Sequence, residues 1–183
     1  MRALFAIFPA ILLLFSQSAS AQKFDKNLPV DIDADKVTVD DRNKVHVFEG
    51  TVVLTQGTLT IKGDKIVVTQ NAAGYHHGVA TAKEGRLVTF RQKRAHSDAW
   101  VDGEAERIEY DSQTERAQLF NRAQVQSAGD LVKGPYIEYD VSTENYLVTD
   151  APGKTRETPS PDGHRVHVTI QPKAKTEEKK QTK

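Results

Sequence analysis

The chain has 183 residues, 38% of them hydrophobic, with 25 basic and 25 acidic side chains and no cysteine. That length fits one domain with appendages, and its core can form without disulfides. The balanced charge gives no electrostatic argument for nucleic acid as a partner, and the missing thiols exclude cysteine catalysis and thiolate metal sites.

The N-terminus reads as an address. Met1-Arg2 is a short positive start, residues 4–15 are an apolar run, and residues 16–21 are small and polar, ending Ala19-Ser20-Ala21. This three-part pattern predicts a cleavable secretory signal over residues 1–21. The run is shorter than the roughly 20 apolar residues needed to span a bilayer. The expectation is a mature chain beginning near Gln22, secreted as a soluble protein.

From there the pattern alternates with period two. Val30, Ile32 and Ala34 fall on one face, and Asp31, Asp33 and Asp35 on the other. Residues 45–55 are rich in Val, Thr and Phe; Gln56-Gly57 marks a turn, and residues 58–69 resume the β composition. Further strands are predicted over 86–91, 107–111, 116–126, 131–133, 136–140, 146–148 and 165–171. No segment beyond the signal has a helical period. The fold class is all-β, as a meander, sandwich or open barrel, with the domain over residues 22–171. Residues 151–163, with Pro152, Pro159 and Pro161, read as a loop. Residues 172–183 read as a disordered basic tail, with five Lys against two Glu, following a body (22–171) that holds 19 basic against 23 acidic residues.

A short motif recurs. It stands as Asp35-Lys36-Val37-Thr38-Val39-Asp40, Asp64-Lys65-Ile66-Val67-Val68-Thr69, Glu106-Arg107-Ile108-Glu109-Tyr110-Asp111 and Pro135-Tyr136-Ile137-Glu138-Tyr139-Asp140. Val37 to Ile108, Ile66 to Ile137 and Gly63 to Gly134 are each 71 positions apart. The spacing predicts two related halves, each a pair of motif strands around a hairpin. In every copy apolar residues two apart share one side, so one face of the sheet is apolar along its length. In an open sheet that face is a trough; in a closed one it is ordinary core.

Candidate catalytic groups are sparse. His76-His77 lie between Gly74 and Gly78, where a solvent-exposed loop is expected, and His164 and His167 would point to opposite faces of a strand. His46 and His96 have no partner nearby in sequence. No acidic pair, Gly-x-Ser-x-Gly, phosphate loop or dinucleotide fingerprint is present, so neither catalysis, a cofactor nor a metal is expected.

The stretch from Phe48-Glu49-Gly50-Thr51-Val52 through Gly57-Thr58-Leu59-Thr60-Ile61-Lys62-Gly63-Asp64-Lys65-Ile66-Val67-Val68-Thr69, with the lead-in Leu28-Pro29-Val30-Asp31-Ile32-Asp33-Ala34-Asp35, resembles the signature of the OstA-like family. The resemblance runs from about Leu28 to Gln171 and is looser in the second half. It implies an open, twisted antiparallel β-jellyroll whose apolar interior carries lipopolysaccharide by its lipid A acyl chains. It also implies head-to-tail self-association, and partners in the inner-membrane anchored and outer-membrane translocon proteins of the same transport system. Its lipid-contacting positions correspond here to Val30, Ile32, Phe90 and Tyr110. The internal repeat adds Val39, Ile66, Val68, Ile108, Ile137 and Tyr139. The docking edges would be the strand from Val30 and the strand over 165–171. The alternative reading is a non-catalytic β scaffold of the cell envelope without a lipid cargo.

Overall fold

The computed structural model describes residues 28–94, 97–153 and 166–171. Its strands are β1 (Asp31–Asp33), β2 (Lys36–Asp40), β3 (Val45–Gln56), β4 (Leu59–Gln70), β5 (His76–Thr81), β6 (Val88–Lys93), β7 (Trp100–Ala105), β8 (Arg107–Asp111), β9 (Arg116–Ser127), β10 (Asp130–Asp140), β11 (Asn145–Thr149) and β12 (His167–Thr169). All pairings are antiparallel. The expected signal, the tail and most of the 151–163 loop lie outside the described residues, as do His96 and His164.

Three local expectations change. His76-His77 open strand β5 rather than lie in a loop, because the segment fits between two ladders, pairing Thr69 with His77 and His77 with Asp111. Strand β7 contains Asp102, Gly103 and Glu104, which are poor strand formers, yet it pairs with both β6 and β9. Tertiary pairing overrides weak propensity in each case. The segments 131–133 and 136–140 are one strand, β10, with a register irregularity between Gly134 and Tyr136. Pro135, which has no N–H to donate, sits at that irregularity.

The long strands β3, β4, β9 and β10 organise the molecule. β2 and β1 pair with successive halves of β3. β5 and β6 divide β4 in the same way, β8 and β7 divide β9, and β11 and β12 divide β10. The sheet therefore splits into two leaves joined along a spine where the long strands cross. The first leaf runs β2, β3, β4, β5, β8, β9, β10, β11; the second runs β1, β3, β4, β6, β7, β9, β10, β12. β3 and β9 begin 71 positions apart, at Val45 and Arg116, and so do β2 and β8, at Lys36 and Arg107. The sequence repeat is thus a repeat of strands.

At the spine β3 gains one residue relative to β4 between Glu49 and Val52. Gly50 takes φ +108° there, and a side chain at that position would collide with Asp35. The Asp35 carboxylate accepts the Thr51 N–H at 3.0 Å, tying β1–β2 to the bulge.

Three turns along the free margin of the first leaf are built alike. Each begins with an aspartate whose Oδ1 accepts backbone N–H groups two to three residues on: Asn43 for Asp40, Gln113 and Thr114 for Asp111, and Ser142 and Thr143 for Asp140. Each ends on a left-handed residue, Lys44, Glu115 or Glu144. The amide bonds hold all three carboxyls below their ordinary range. A depressed carboxyl contributes stability above its unfolded value near pH 4, and that contribution is lost as pH falls through the folded value. The urea midpoint should stay flat between pH 7 and 5 and decline below about pH 4. Asp111→Asn should show a shallower decline, and an unchanged acid limb in that variant would remove the turns from the account.

Candidate functional site

Strand register sets the interior side chains in rows. Across the first leaf one row reads Val37, Phe48, Ile66, Ala80, Ile108, Leu119, Ile137, Val148. The next, nearer the free margin, reads Val39, His46, Val68, Gly78, Tyr110, Ala117, Tyr139, Tyr146. Across the second leaf runs Ile32, Leu54, Ile61, Phe90, Gly103, Val125, Val132, Val168. Apart from His46, every side chain in these rows is apolar or aromatic, so two greasy surfaces face each other.

They are not equally filled. In the N-terminal half the leaves stand apart around a cavity of about 870 Å³. Its floor is Phe48, Leu54, Ile61, Ile66, Val68, Ala80 and Ile108. Its margins are Val30, Gln56 and Leu59 on one leaf, and Lys44, Gln70, His76, Ser112 and Glu115 on the other. In the C-terminal half the same rows meet. Phe90 stacks on Tyr139 with centroids 6.4 Å apart, and Tyr139 on Tyr146 at 4.8 Å. Beyond them Arg94, after β6, donates from Nε to Glu144 Oε2 at 2.7 Å, bridging the margins of the two leaves. The void between this stack and the main cavity is only about 30 Å³.

The interior carries no phenolate. Burial, with smaller contributions from Glu115 and Asp111, pushes Tyr110 up to about 12. Burial likewise raises Tyr139 and Tyr146. The hydrogen bond to Glu144 raises Arg94 further above its ordinary value. Among the described residues no three His, Asp or Glu side chains come together as a metal site, and no helix is long and apolar enough to cross a membrane.

Of the residues expected to contact lipid, Val30, Ile32, Ile66, Val68, Ile108 and Tyr110 line the main cavity. Phe90 and Tyr139 line the small void at its inner end. Val39 is 54% exposed on edge strand β2, and Ile137 is fully buried; neither lines either space. Sequence reasoning missed Phe48, Leu54, Ile61 and Gly78 as lining residues, and gave His46 and His76 no role. Alternation along β3 could not name the inner face because Val47 and Val53 make the outer face apolar too.

Residues 31–145 match the family model described as LptA/(LptD N-terminal domain) LPS transport protein. The chain is 34% identical over 152 residues to the lipopolysaccharide export system protein LptA of Haemophilus influenzae, covering 83% of this chain and 87% of that one. It is 29% identical over 171 residues to lipopolysaccharide export system protein LptH of Pseudomonas aeruginosa, covering 93% and 95%. The crystal structure of LptH, described as the LptA homologous periplasmic component of the conserved lipopolysaccharide transport device, superposes with a TM-score of 0.70 at 27% identity, covering 81% of this chain and 99% of that one.

Proposed function

Since the chain belongs to the LptA/LptD N-terminal domain family of lipopolysaccharide transport proteins, we propose that it works in the periplasm as part of the bridge carrying lipopolysaccharide from the inner to the outer membrane, its cargo's acyl chains lying in the cavity between the leaves. The observation that carries this reading is the apolar cavity of about 870 Å³ in the N-terminal half. It lies toward the upper end of the roughly 300–1,000 Å³ typical of small-molecule sites. Each methylene moved from water into it contributes about 0.8 kcal/mol, so long chains gain affinity from length alone. A scaffold without cargo has no use for such a space.

Val30, Ile32, Ile66, Val68, Ile108 and Tyr110 would contact the chains, with Phe48 and Ile61 beneath them and Phe90 and Tyr139 at the inner end. Both edges suit head-to-tail stacking. Val30, Val37 and Val39 are exposed beside β1 and β2, and Val166, Val168 and Ile170 beside β12. An unpaired strand edge with apolar side chains is a surface for strand addition. The inner-membrane anchored and outer-membrane translocon partners would use the same two edges.

The test is photo-crosslinking in cells, with a photoreactive residue at Phe48, at Val168 or at the outward-facing Lys62. The expected result is a lipopolysaccharide adduct at Phe48, a chain-to-chain or chain-to-partner adduct at Val168, and neither at Lys62. A folded, exported chain with no adduct at Phe48 would leave only the scaffold reading. No adduct at Val168 would remove the stacking.

A further inference from the structure

One end of the cavity is polar in a specific way. On the free margin of the first leaf the Gln70 N–H donates to Lys44 C=O at 3.0 Å, and Gln70 pairs with His76 across the next ladder. Lys44, just before β3, therefore stands beside Gln70 on β4 and His76 on β5, the three spanning about 10 Å at the usual strand spacing. His46 sits two residues further in, on the face that lines the cavity, paired with Val68. Among the described residues no ion pair joins the Lys44 ammonium or the rings of His46 and His76 to a carboxylate, whereas the neighbouring His77 ring stands 3.4 Å from the Glu109 carboxylate.

His46 is a polar donor, half-buried among the apolar side chains of the cavity, while Lys44 and His76 are exposed at its mouth. Glu115, the carboxylate on the cavity margin, sits beyond His76 on the β8–β9 turn, so the cationic side of the rim is confined to the β2–β3 turn, β3 and β5.

We infer that Lys44, His46 and His76 form a phosphate-binding subsite at the mouth of the cavity, which takes the phosphorylated headgroup of an anionic amphiphile whose chains lie inside. The inference rests on the transport reading and adds to it the part of the cargo that stays wet. A lysine point charge and imidazole donors suit a phosphate monoester, whose bonds to ionised donors are roughly twice as strong as neutral ones. The apolar rows supply affinity for any acylated molecule; the rim selects the charged one.

The test compares two probes on the purified chain: lipid A carrying both phosphates, and the same lipid dephosphorylated, each displacing a fluorescent fatty acid from the cavity. Wild type should prefer the phosphorylated form by about tenfold, the scale of one charge-assisted contact. Lys44→Gln, and His46→Gln with His76→Gln, should each cut that preference severalfold by weakening the phosphorylated lipid more than the dephosphorylated one; Lys62→Gln should alter neither. Inorganic phosphate titrated into the empty chain separates the sources. Shifts of the His46 and His76 ring resonances would show a site that takes phosphate of any origin. No shift, with the lipid preference intact, would assign it to the headgroup. Equal binding of both lipids by wild type, or equal losses for both in Lys44→Gln, would overturn the subsite while the trough stands. Failure to bind either lipid would sink the trough and the subsite together.

Discussion

Gly78→Phe empties the protein of lipid without unfolding it. Gly78 lies on the inner face of β5, paired with Val68 on one side and Tyr110 on the other, and it lines the cavity. A Cβ built there meets nothing within 4 Å. Its backbone is ordinary strand, so a larger residue incurs no φ penalty, and glycine in a strand costs roughly 0.5–1 kcal/mol relative to alanine. The position thus forgoes stability to leave space. A phenylalanine ring would stand in the middle of the row between His46 and Tyr110. The expected result is a urea midpoint at or slightly above wild type, with the Phe48 lipopolysaccharide adduct reduced to background. Gly78→Ala should keep most of the adduct. A phenylalanine variant that still loads lipid would show that cargo takes another path.

Gly103→Ala has the opposite character. Gly103 lies on the inner face of β7, directly across from Phe90 on β6. A Cβ there would overlap the Phe90 ring, which is only 5% exposed and stacked on Tyr139. The ring cannot yield without disturbing the stack, and overpacking of this kind costs about 1–3 kcal/mol. The urea midpoint should fall accordingly, with a loss of near-ultraviolet dichroism from the Phe90–Tyr139–Tyr146 stack. Combining it with Phe90→Leu should cost less than the two changes add up to, since the leucine vacates the space the alanine needs. Strict additivity would mean that Gly103 matters for some reason other than that ring.

The contrast between these glycines marks where sequence reading stops. Both sit inside strands with weak β composition, and nothing local separates one that faces space from one that faces a ring. What was legible came from periodicity. The 71-position repeat gave the two halves, and β-branched alternation gave most strands, because both are properties of neighbours along the chain. The inner face of β4 changes parity between Gly63 and Ile66 as the strand passes from one leaf to the other. No alternation rule foresees that, since the bulge at Gly50 on the partner strand causes it. Of the residues the repeat added, Ile66, Val68 and Ile108 reach the open half. Ile137, the repeat-mate of Ile66, falls in the filled half. The halves match in backbone and differ in what occupies the space between the leaves, which depends on Phe90, Tyr139, Tyr146 and the Arg94–Glu144 pair acting across long separations.

That asymmetry bears on kinetics. A molecule entering from the β1 side meets a vacant slot and displaces only water. To travel onward it must take the place of three stacked rings and cross a margin held by a partly buried guanidinium–carboxylate bond. Entry is then a partition step, and onward travel is an exchange in which incoming methylenes substitute for departing aromatic faces. The two steps respond differently to perturbation. Salt screens exposed charges far more than a partly buried pair or apolar burial, so raising ionic strength should weaken entry of a phosphorylated lipid at the Lys44–His76 rim while leaving the exchange past Arg94–Glu144 nearly untouched.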